Sequence, residues 1–390
     1  MARLPTPFWG ALWAFLLSLG LMAYLYGFAT PASEIQTGLF DTKGFRELAV
    51  GLWVPGEPVP STRLGQRGAL YALLGGGLHL VAPVLLFILQ AAAVAGGVAF
   101  LMALERDMTG RVRFSWLALF SVSLLLSPSV LMPEALGFLF GAMALYFAVR
   151  PAGLGRATLA LVLAALLKVA FWPMAIVALL ALWIFSPGAH RAALGATLLV
   201  AAHLVVVTIH TGQQGISLAA KQNFEERFYP AVAGMKEDGR PWLHRTEAAA
   251  EAKAARPALG DKIDYVVSHP RTALSAWAVI LWEHHLWEGS GFAQRDNGPA
   301  REGPRDILNG ASRGLNAVLV VAALAGLVGI FAQMVRLGFR TWPILITPVL
   351  ILGTAPVTYF QGDRVIFLAL LFLLPFAGSI APKRDDAPDA

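Results

Sequence analysis

The stretch FWGALWAFLLSLGLMAYLYGF, Phe8–Phe28, has no charged residue and decides the class of fold. A helix of this length crosses the hydrocarbon core of a bilayer. The stretch is too long for the apolar core of a cleaved signal peptide, and it lacks a convincing small-residue cleavage site. We therefore interpret Phe8–Phe28 as a retained transmembrane helix.

The composition of the whole chain indicates the same class. Of the 390 residues, 57% are hydrophobic and only 14% are charged, with a mean hydropathy of +0.64. Soluble globular proteins carry about 25% charged residues, so this composition is typical of a polytopic membrane protein. The chain has no cysteine, which excludes disulfides and thiolate metal sites.

Nine further apolar segments follow the first one, and four of them are short and adjacent in the sequence. These segments are Leu80–Leu104, Phe114–Leu126, Pro133–Val149, Ala157–Leu167, Phe171–Phe185, Ala192–Ile209, Leu315–Met334, Trp342–Thr358 and Val365–Ile380. Apolar segments of such lengths are typical of membrane spans, broken or complete. The sequence predicts an all-α polytopic transmembrane bundle of about ten spans, with outer-face amphipathic helices and one large extracytoplasmic loop.

The charged residues predict the orientation of this bundle. The connections that alternate along the chain, together with Arg3 and the C-terminal tail, carry eleven basic and five acidic residues. The whole net charge of +6 therefore lies on one face, which the positive-inside rule makes cytoplasmic. We expect a multi-pass protein of the cytoplasmic (inner) membrane that contacts membrane lipids. The charge needs no nucleic acid partner to explain it.

This orientation divides the chain into regions. Residues 1–209 form an N-terminal transmembrane module with an outer loop at 29–66, and residues 210–313 form an extracytoplasmic region. Residues 314–382 are C-terminal transmembrane helices, and residues 383–390 are expected to be a disordered tail. Within the extracytoplasmic region, Thr272–Trp287 is predicted to be a helix along the membrane interface, because its tryptophans suit that depth. Gly291–Gly314 is rich in Gly, Asp and Arg and is predicted to be a loop.

The first outer loop contains the stretch LFDTKGFRELAVGL, Leu39–Leu52. Its apolar residues recur at i, i+3, i+4 and i+7, at Phe45, Leu48, Ala49 and Leu52. This spacing predicts a short amphipathic helix. Asp41 stands about one turn before Phe45, where a carboxylate can cap the helix. At the outer surface it could equally act as a general base, and the pattern leaves both roles open.

Three more ionisable residues are candidates because charged groups near apolar walls are costly to keep. The predicted topology puts Glu134, Lys168 and Arg364 at the outer ends of spans, like Asp41. Each has a structural alternative. Glu134 follows a proline and can cap a helix, while Lys168 can extend to lipid phosphates. Arg364 can pair with Asp363 or with lipid headgroups.

The histidines give weaker indications. His203 lies on an apolar helix and is expected to be a packed core residue. The pair His284–His285 could be half of a metal site, but adjacent residues of a helix point in different directions, so an interfacial role is favoured. His210 and Asn223 lie close to the predicted outer site and are candidates for contact with a substrate.

Several short motifs share the outer face of the predicted bundle. In chain order they are Asp41 with its helix, Arg67-Gly-Ala-Leu-Tyr71, Glu134 after the third span, the turn Leu166–Pro173, Ser268-His-Pro270, and Gln361-Gly-Asp-Arg364. Their arrangement over most of the chain resembles the polytopic GT-C glycosyltransferases, in particular the bacterial relatives of protein O-mannosyltransferases and lipid A aminoarabinose transferases. The chain departs from that pattern by having Asp41-Thr42 for Asp-Glu, by the lysine at Lys168, and by lacking the prolines of the Arg67 segment.

The resemblance implies an inverting transfer of a sugar to an extracytoplasmic glycan, lipid or protein acceptor. It implies catalytic roles for Asp41 and Glu134, and substrate contacts for Arg67 and Tyr71. The chemistry is consistent with this, because an outward-facing transferase has no nucleotide sugars and needs a polyprenyl-phosphate sugar donor. Its leaving phosphate requires cations such as Lys168 and Arg364. No metal or other cofactor is expected.

Other classes of protein remain open on the sequence. A transporter or flippase usually contains repeats and broken helices at the midplane, and the sequence indicates neither. A non-catalytic assembly subunit is a second alternative. An O-antigen ligase or polymerase is a third, and it would use arginine and histidine side chains of the long outer loop. The residues available for that role are Arg227, Arg240, His244 and His269.

Overall fold

The computed structural model describes residues 6–38, 42–61, 64, 69–212, 221, 223–238, 254–255, 257–287, 289–290, 292–293, 299–355, 364 and 366–380. Every regular element in this part of the chain is helical, which confirms the predicted all-α class. In chain order the helices are α1 Thr6–Tyr26, α2 Ala32–Gln36, α3 Thr42–Trp53, α4 Ala69–Tyr71, α5 Gly77–Val81, α6 Pro83–Thr109, α7 Val122–Leu126, α8 Glu134–Ala148, α9 Leu154–Leu167, α10 Trp172–Phe185, α11 His190–Thr211, α12 Tyr229–Asp238, α13 Leu259–Ser268, α14 Pro270–Val279, α15 Glu302–Leu337, α16 Trp342–Leu345, α17 Thr347–Thr354 and α18 Phe367–Ala377.

Four of the described helices are long and apolar enough to cross a membrane. They are α1, α6, α11 and α15, which contain 21, 27, 22 and 36 residues. Shorter apolar helices, including α8, α9 and α18, complete the bundle. These lengths and compositions support a membrane protein, whereas the total of about ten spans stays a prediction.

The bundle has two ends that the contacts define. At one end, the N–H of Arg301 donates to the carbonyl of Leu25, which joins the start of α15 to the last turn of α1. We call this the Glu134 end, because α8 begins there. At the other end, Gly378 lies beside the carboxylate of Glu105, which joins the residue after α18 to the last turns of α6. We call it the Glu105 end.

Helix α18 forms the centre of the bundle, and all of its residues are buried. It packs against α6, α8, α15 and α17. The contact with α15 is close, because a Cβ atom at Gly326 would lie 2.2 Å from the carbonyl oxygen of Leu373, and one at Gly329 would lie 2.0 Å from that of Phe376. Small residues at a helix interface allow this approach and are typical of membrane bundles. The glycines of α15 therefore set the position of α18.

Two predicted segments differ in the structure. Phe114–Leu126 is not one span-length helix, but a 3-10 turn, Ser115–Phe120, followed by the five-residue α7 and a second 3-10 turn, Ser127–Ser129. Serines break the run here, since the hydroxyls of Ser121, Ser127 and Ser129 all bond to nearby backbone. These local bonds compete with a continuous helix.

The prediction of a loop over Gly291–Gly314 is wrong for its second half. Helix α15 begins at Glu302, well before the apolar stretch, and its polar first turns are held by specific contacts. The guanidinium of Arg301 donates to the carbonyls of Ala23 and Tyr24, and Nδ2 of Asn309 donates to the carbonyl of Ala293 at 2.6 Å. Composition alone does not reveal such tertiary partners.

The predicted amphipathic helix after the first span is confirmed as α3. Phe45, Leu48 and Ala49 are buried, in agreement with the spacing. The ring of Phe45 packs edge-on against that of Tyr71, with centroids 5.2 Å apart. Helix α3 thereby lies against the segment that leads into α6.

The predicted interfacial segment Thr272–Trp287 is helical, as α14 and a π-helical continuation over Ile280–Trp287. Ala276 and Ile280 pack against residues of α12 and the turn before it in a separate small cluster. The indole of Trp277 donates to the carbonyl of Gly353 at 2.7 Å, which ties this cluster to α17. Its depth relative to a membrane stays a prediction.

Candidate functional site

Glu134 is the first residue of α8, at the Glu134 end of the bundle. Glu134 is 2% exposed, and Pro133, which precedes it, provides no side-chain cap for the helix. The carboxylate accepts no hydrogen bond from the backbone of its own helix among the described residues. Helix capping alone, the structural alternative for Glu134, therefore does not describe its contacts.

Lys168 reaches this carboxylate from another helix. It ends α9 in an extended conformation, with φ −132° and ψ 119°, immediately before the 3-10 turn Val169–Phe171. Its Nζ lies 3.1 Å from Oε1 of Glu134, and only 14% of its side chain is exposed. If Lys168 extended toward lipid phosphates, its side chain would lie at the surface. The buried ion pair with Glu134 therefore contradicts this structural alternative for Lys168.

Arg364 approaches the same carboxylate from a third part of the chain, shortly before α18. Its Nε lies 3.8 Å from Oε1 of Glu134, and its Nη1 lies 3.5 Å from Sδ of Met132. The residue is 6% exposed, so its side chain is enclosed by protein, which does not fit the alternative of contact with lipid headgroups. Asp363, the other predicted partner, lies outside the described residues.

The resulting cluster of Glu134, Lys168 and Arg364 has two cations for one carboxylate. Both basic groups face the same oxygen, Oε1, while Oε2 of Glu134 is buried and has no hydrogen-bond partner among the described residues. Buried polar atoms normally have partners, so Oε2 can accept a hydrogen bond from a further donor, either water or a ligand. Within these three residues, basic groups outnumber acidic ones, and one carboxylate oxygen can accept a further hydrogen bond.

Glu105 provides an internal comparison at the opposite end. It is fully buried as well, yet its carboxylate accepts backbone hydrogen bonds from Arg113 at 3.0 Å, Phe114 at 2.9 Å and Ser115 at 2.8 Å. These three donors hold the turn after α6, and this contact was not predicted from the sequence. Glu105 is a satisfied structural carboxylate, in contrast to Glu134.

Tyr71 lies beside the cluster and is fully buried. Its hydroxyl donates to Oε1 of Gln90 at 3.2 Å. The amide nitrogen of Gln90 donates to the carbonyls of Pro128 and Val130, at 3.2 and 3.0 Å, which leaves the amide oxygen facing Tyr71. In the chain, Tyr71 lies between α1 and α6 and belongs to neither of these two long helices. Burial raises the pKa of its phenol well above the ordinary value, the charge of Glu134 raises it further, and a hydrogen bond with the backbone of Met132 lowers it. The phenol therefore stays protonated and remains a donor.

Gln90 is a site residue that the sequence interpretation missed. It is fully buried inside α6, in a stretch that is otherwise apolar. A lone amide in an apolar span was the signal that could have revealed it, since polar residues there need specific partners. Its bonds fix the segment that leads to Met132 and Glu134.

Two of the predicted site residues, Asp41 and Arg67, lie outside the described residues. Thr42, which follows Asp41, is buried at the start of α3. Phe45 on the first turns of α3 contacts Tyr71, and the charge of Glu134 acts on Tyr71 in turn. The start of α3 and the cluster therefore belong to the same end of the bundle.

The remaining candidates are not brought to the cluster by any contact among the described residues. His210 is exposed in the last turn of α11, and Asn223 immediately precedes the π-helical turn Phe224–Phe228. His203 is buried, with its ring 5.0 Å from that of Trp172, in agreement with the predicted packed residue. The side chains of His284–His285 lie outside what the structure describes.

Comparisons of the chain with protein-family models, with curated proteins and with solved structures find no match. Among the described residues, no group of three or more histidine and acidic side chains gathers in a way that could hold a metal ion. The chemistry available to the site is therefore argued from its own residues: two cations, one partly satisfied carboxylate and a protonated phenol.

Proposed function

We propose that this protein is a membrane glycosyltransferase of the GT-C type. It moves a sugar from a polyprenyl-phosphate donor to a hydroxyl group of an extracytoplasmic glycan, lipid or protein, with inversion at the sugar carbon. The observation that carries the proposal is the convergence of Lys168 and Arg364 on the buried Glu134.

The charge of the cluster matches the donor chemistry. A polyprenyl-phosphate sugar is a phosphodiester with one negative charge, and its phosphate gains charge as the sugar leaves. Cations that are already fixed in place stabilise such growing charge without reorganisation. A guanidinium adds a two-pronged geometry for phosphate oxygens that an ammonium lacks. Lys168 and Arg364 are assigned to the donor phosphate.

The proposed transfer is a single displacement. The oxygen of the acceptor hydroxyl forms a bond to the anomeric carbon, and the bond from that carbon to the phosphate oxygen breaks, with its electron pair leaving on the phosphate. The hydroxyl proton passes to a carboxylate, for which Asp41 is the candidate. The products are the glycosylated acceptor and polyprenyl phosphate, so the atoms and charges balance without a further reactant.

Glu134 is assigned a positioning role. Its Oε1 holds both cations, and its free Oε2 is available to a hydroxyl of the sugar or of the acceptor. Tyr71 and Gln90 brace the neighbouring segment. Glu134 thus holds Lys168 and Arg364 together and oriented before the donor arrives.

The proposal requires the cluster to face away from the cytoplasm, since lipid-linked donors are used there. The connections at the Glu105 end have an excess of lysine and arginine over aspartate and glutamate, which supports that orientation. The chain has no native cysteine, so single cysteines can be labelled cleanly. A cysteine at Lys236 should react with an impermeant reagent in intact cells; reaction only after lysis would contradict the orientation.

The decisive experiment is a transfer assay on the purified protein with a panel of polyprenyl-phosphate sugars. We expect wild-type protein to release polyprenyl phosphate from one of these donors, and Arg364→Ala to do so far more slowly. Arg340→Ala is the matched control, because Arg340 is exposed near the other end of the bundle. Absence of release with every donor and acceptor fraction would refute the glycosyltransferase proposal.

A transporter is the second candidate, because a buried ionic cluster in an apolar bundle is also typical of ion and proton pathways. It predicts movement of a substrate across vesicles with no bond cleaved. A ligase that uses the outer loop is favoured less, since Nδ1 of His269 is occupied by the carbonyl of Tyr265 at 2.8 Å and its ring stacks on that tyrosine. Measuring donor cleavage and substrate movement on the same vesicles separates the first two candidates.

A further inference from the structure

A second charged region lies at the Glu105 end, far along the bundle from the candidate site. A cavity of about 590 Å³ opens there between the connection of α8 to α9 and the last turns of α15. Three arginines line it, Arg150, Arg156 and Arg336, together with Asp107 and the buried amide of Gln333. Its size is that of an ordinary small-molecule site.

The turn that presents two of these arginines has a constrained backbone. Ala152 has a positive φ of 55°, which is uncommon for a residue with a side chain. Gly153 follows, and a Cβ atom there would lie 2.0 Å from the carbonyl oxygen of Phe147. The backbone N–H of Gly153 donates to the carbonyl of Arg150 at 3.1 Å. This turn fixes the start of α9, and with it Arg156.

The charges of the cavity are unevenly matched. Arg150 is held in place, because its guanidinium stacks 4.0 Å over the ring of Tyr146 and its Nε lies 3.2 Å from Oδ2 of Asp107. The single carboxylate is thereby used. Arg156 and Arg336 have no ion pair to a carboxylate among the described residues. The cavity therefore has two guanidinium groups beyond those its own acid can neutralise.

We propose that this cavity binds a phosphate group, carried by an anionic phospholipid or by a soluble phosphate ester. Guanidinium groups bind phosphate oxygens in two-pronged pairs, and basic pockets between membrane helices on the cytoplasmic side bind lipid phosphates. The positive-inside rule explains why basic residues lie at this end. It does not explain why arginines from the α8–α9 turn, α9 and α15 converge on one cavity that a buried amide also lines.

The test compares wild-type protein with Arg156→Gln/Arg336→Gln in nanodiscs. Binding is measured by native mass spectrometry and by thermal stability, with phosphatidylglycerol added to a phosphatidylcholine background and, separately, with inorganic phosphate. We expect phosphatidylglycerol to bind and stabilise the wild-type protein, and the double variant to bind it on the order of tenfold or more weakly, since each lost charge-assisted hydrogen bond is equivalent to at least about tenfold. Stabilisation by inorganic phosphate alone would identify a soluble ester as the ligand.

Two further variants complete the test. Arg340→Gln removes one positive charge at the same end but outside the cavity, so it should bind like the wild-type protein. The single variant Arg336→Gln replaces the double variant if that one does not fold, and it should weaken binding in the same direction. Equal binding by wild-type protein and cavity variants, or no preference for either phosphate source over phosphatidylcholine, overturns the proposal.

Discussion

The ammonium nitrogen of Lys168 lies 3.1 Å from Oε1 of Glu134, although 34 positions separate the two residues in the chain. This ion pair joins the end of α9 to the start of α8 at a depth where both side chains are nearly enclosed. A pair of this kind is costly to desolvate, and it persists only where its partners are fixed. In the proposed enzyme, Arg364 shares the same oxygen and makes the pair part of a donor-binding site.

Glu134→Gln should impair both folding and transfer. The substitution removes the anion that Lys168 and Arg364 share, and losing one partner of a buried ion pair costs about 3–5 kcal/mol. Thermal unfolding in detergent measures the loss of stability, and donor cleavage measures the loss of activity.

Adding Lys168→Met to Glu134→Gln should separate these two effects. The second substitution removes one of the two cations that the carboxylate holds in the wild-type protein, so we expect stability to recover in part while transfer remains lost. If Glu134→Gln alone is as stable and active as the wild-type protein, Glu134 is not the residue that orders the two cations.

Asp41→Asn should abolish transfer and leave the protein folded and inserted. Asparagine caps a helix about as well as aspartate but cannot accept the proton of the acceptor hydroxyl. Turnover per folded molecule, with circular dichroism as the folding control, distinguishes a base from a cap. Near-normal turnover would make Asp41 a cap, and Glu134 would then be the next candidate for the base.

Arg364→Lys should lower transfer on the order of 10- to 150-fold, with a larger loss for Arg364→Ala. One charge-assisted hydrogen bond contributes about 1.5–3 kcal/mol, and lysine keeps the charge but not the two-pronged geometry. The defect should appear when the donor concentration is varied, rather than the acceptor concentration. Wild-type kinetics of Arg364→Lys in detergent would exclude contact with the donor phosphate.

Gly326→Ala should destabilise the bundle by about 1–3 kcal/mol, because the new methyl group would meet the carbonyl of Leu373 at 2.2 Å. Gly314→Ala is the matched control in the same helix, since no neighbouring group lies within 4 Å of the point where its methyl carbon would stand. That substitution should leave stability unchanged or raise it slightly. Equal effects of the two variants on thermal unfolding would contradict the close packing of α15 on α18.

Gln90→Leu should loosen the segment before α8. The hydroxyl of Tyr71 and the carbonyls of Pro128 and Val130 would each lose the hydrogen bond to Gln90, at a cost of about 1–3 kcal/mol for a buried group left without a partner. The carbonyl of Val130 keeps its bond from the N–H of Met132 at 2.9 Å. Hydrogen exchange of the amides around Met132 should then be faster. Exchange that matches the wild-type protein would show that this network does not brace the site.

The sequence predicted those features of the fold that depend on local pattern. The apolar run of α1 and the spacing of α3 each carry their own signal, so both helices were found with nearly correct bounds. Features that depend on tertiary partners were not found. The polar start of α15 is helical because Arg301 and Asn309 donate hydrogen bonds to carbonyls in other parts of the chain. No local sequence pattern predicts such hydrogen bonds.

The candidate site divides in the same way. Glu134, Lys168 and Arg364 were identified because charged residues beside apolar spans are costly, which is a property of each residue alone. The convergence of these three residues on one oxygen depends on how α8, α9 and α18 pack. It cannot be seen in the sequence, because the contacts span long separations: Arg364 also contacts Met132, 232 positions earlier in the chain. Gln90 was missed because an amide carries no charge, although its burial makes the same demand for partners.

The central place of α18 has a consequence for the order in which the molecule can be assembled. This helix is synthesised after every other described α-helix, yet its whole surface is covered by helices made earlier. Those helices must enter the membrane with a slot between them, and the slot is filled only when α18 docks against Gly326 and Gly329. Until then Arg364 cannot reach Glu134. In the proposed enzyme, a chain that stops before α18 would therefore lack the completed cluster of Glu134, Lys168 and Arg364.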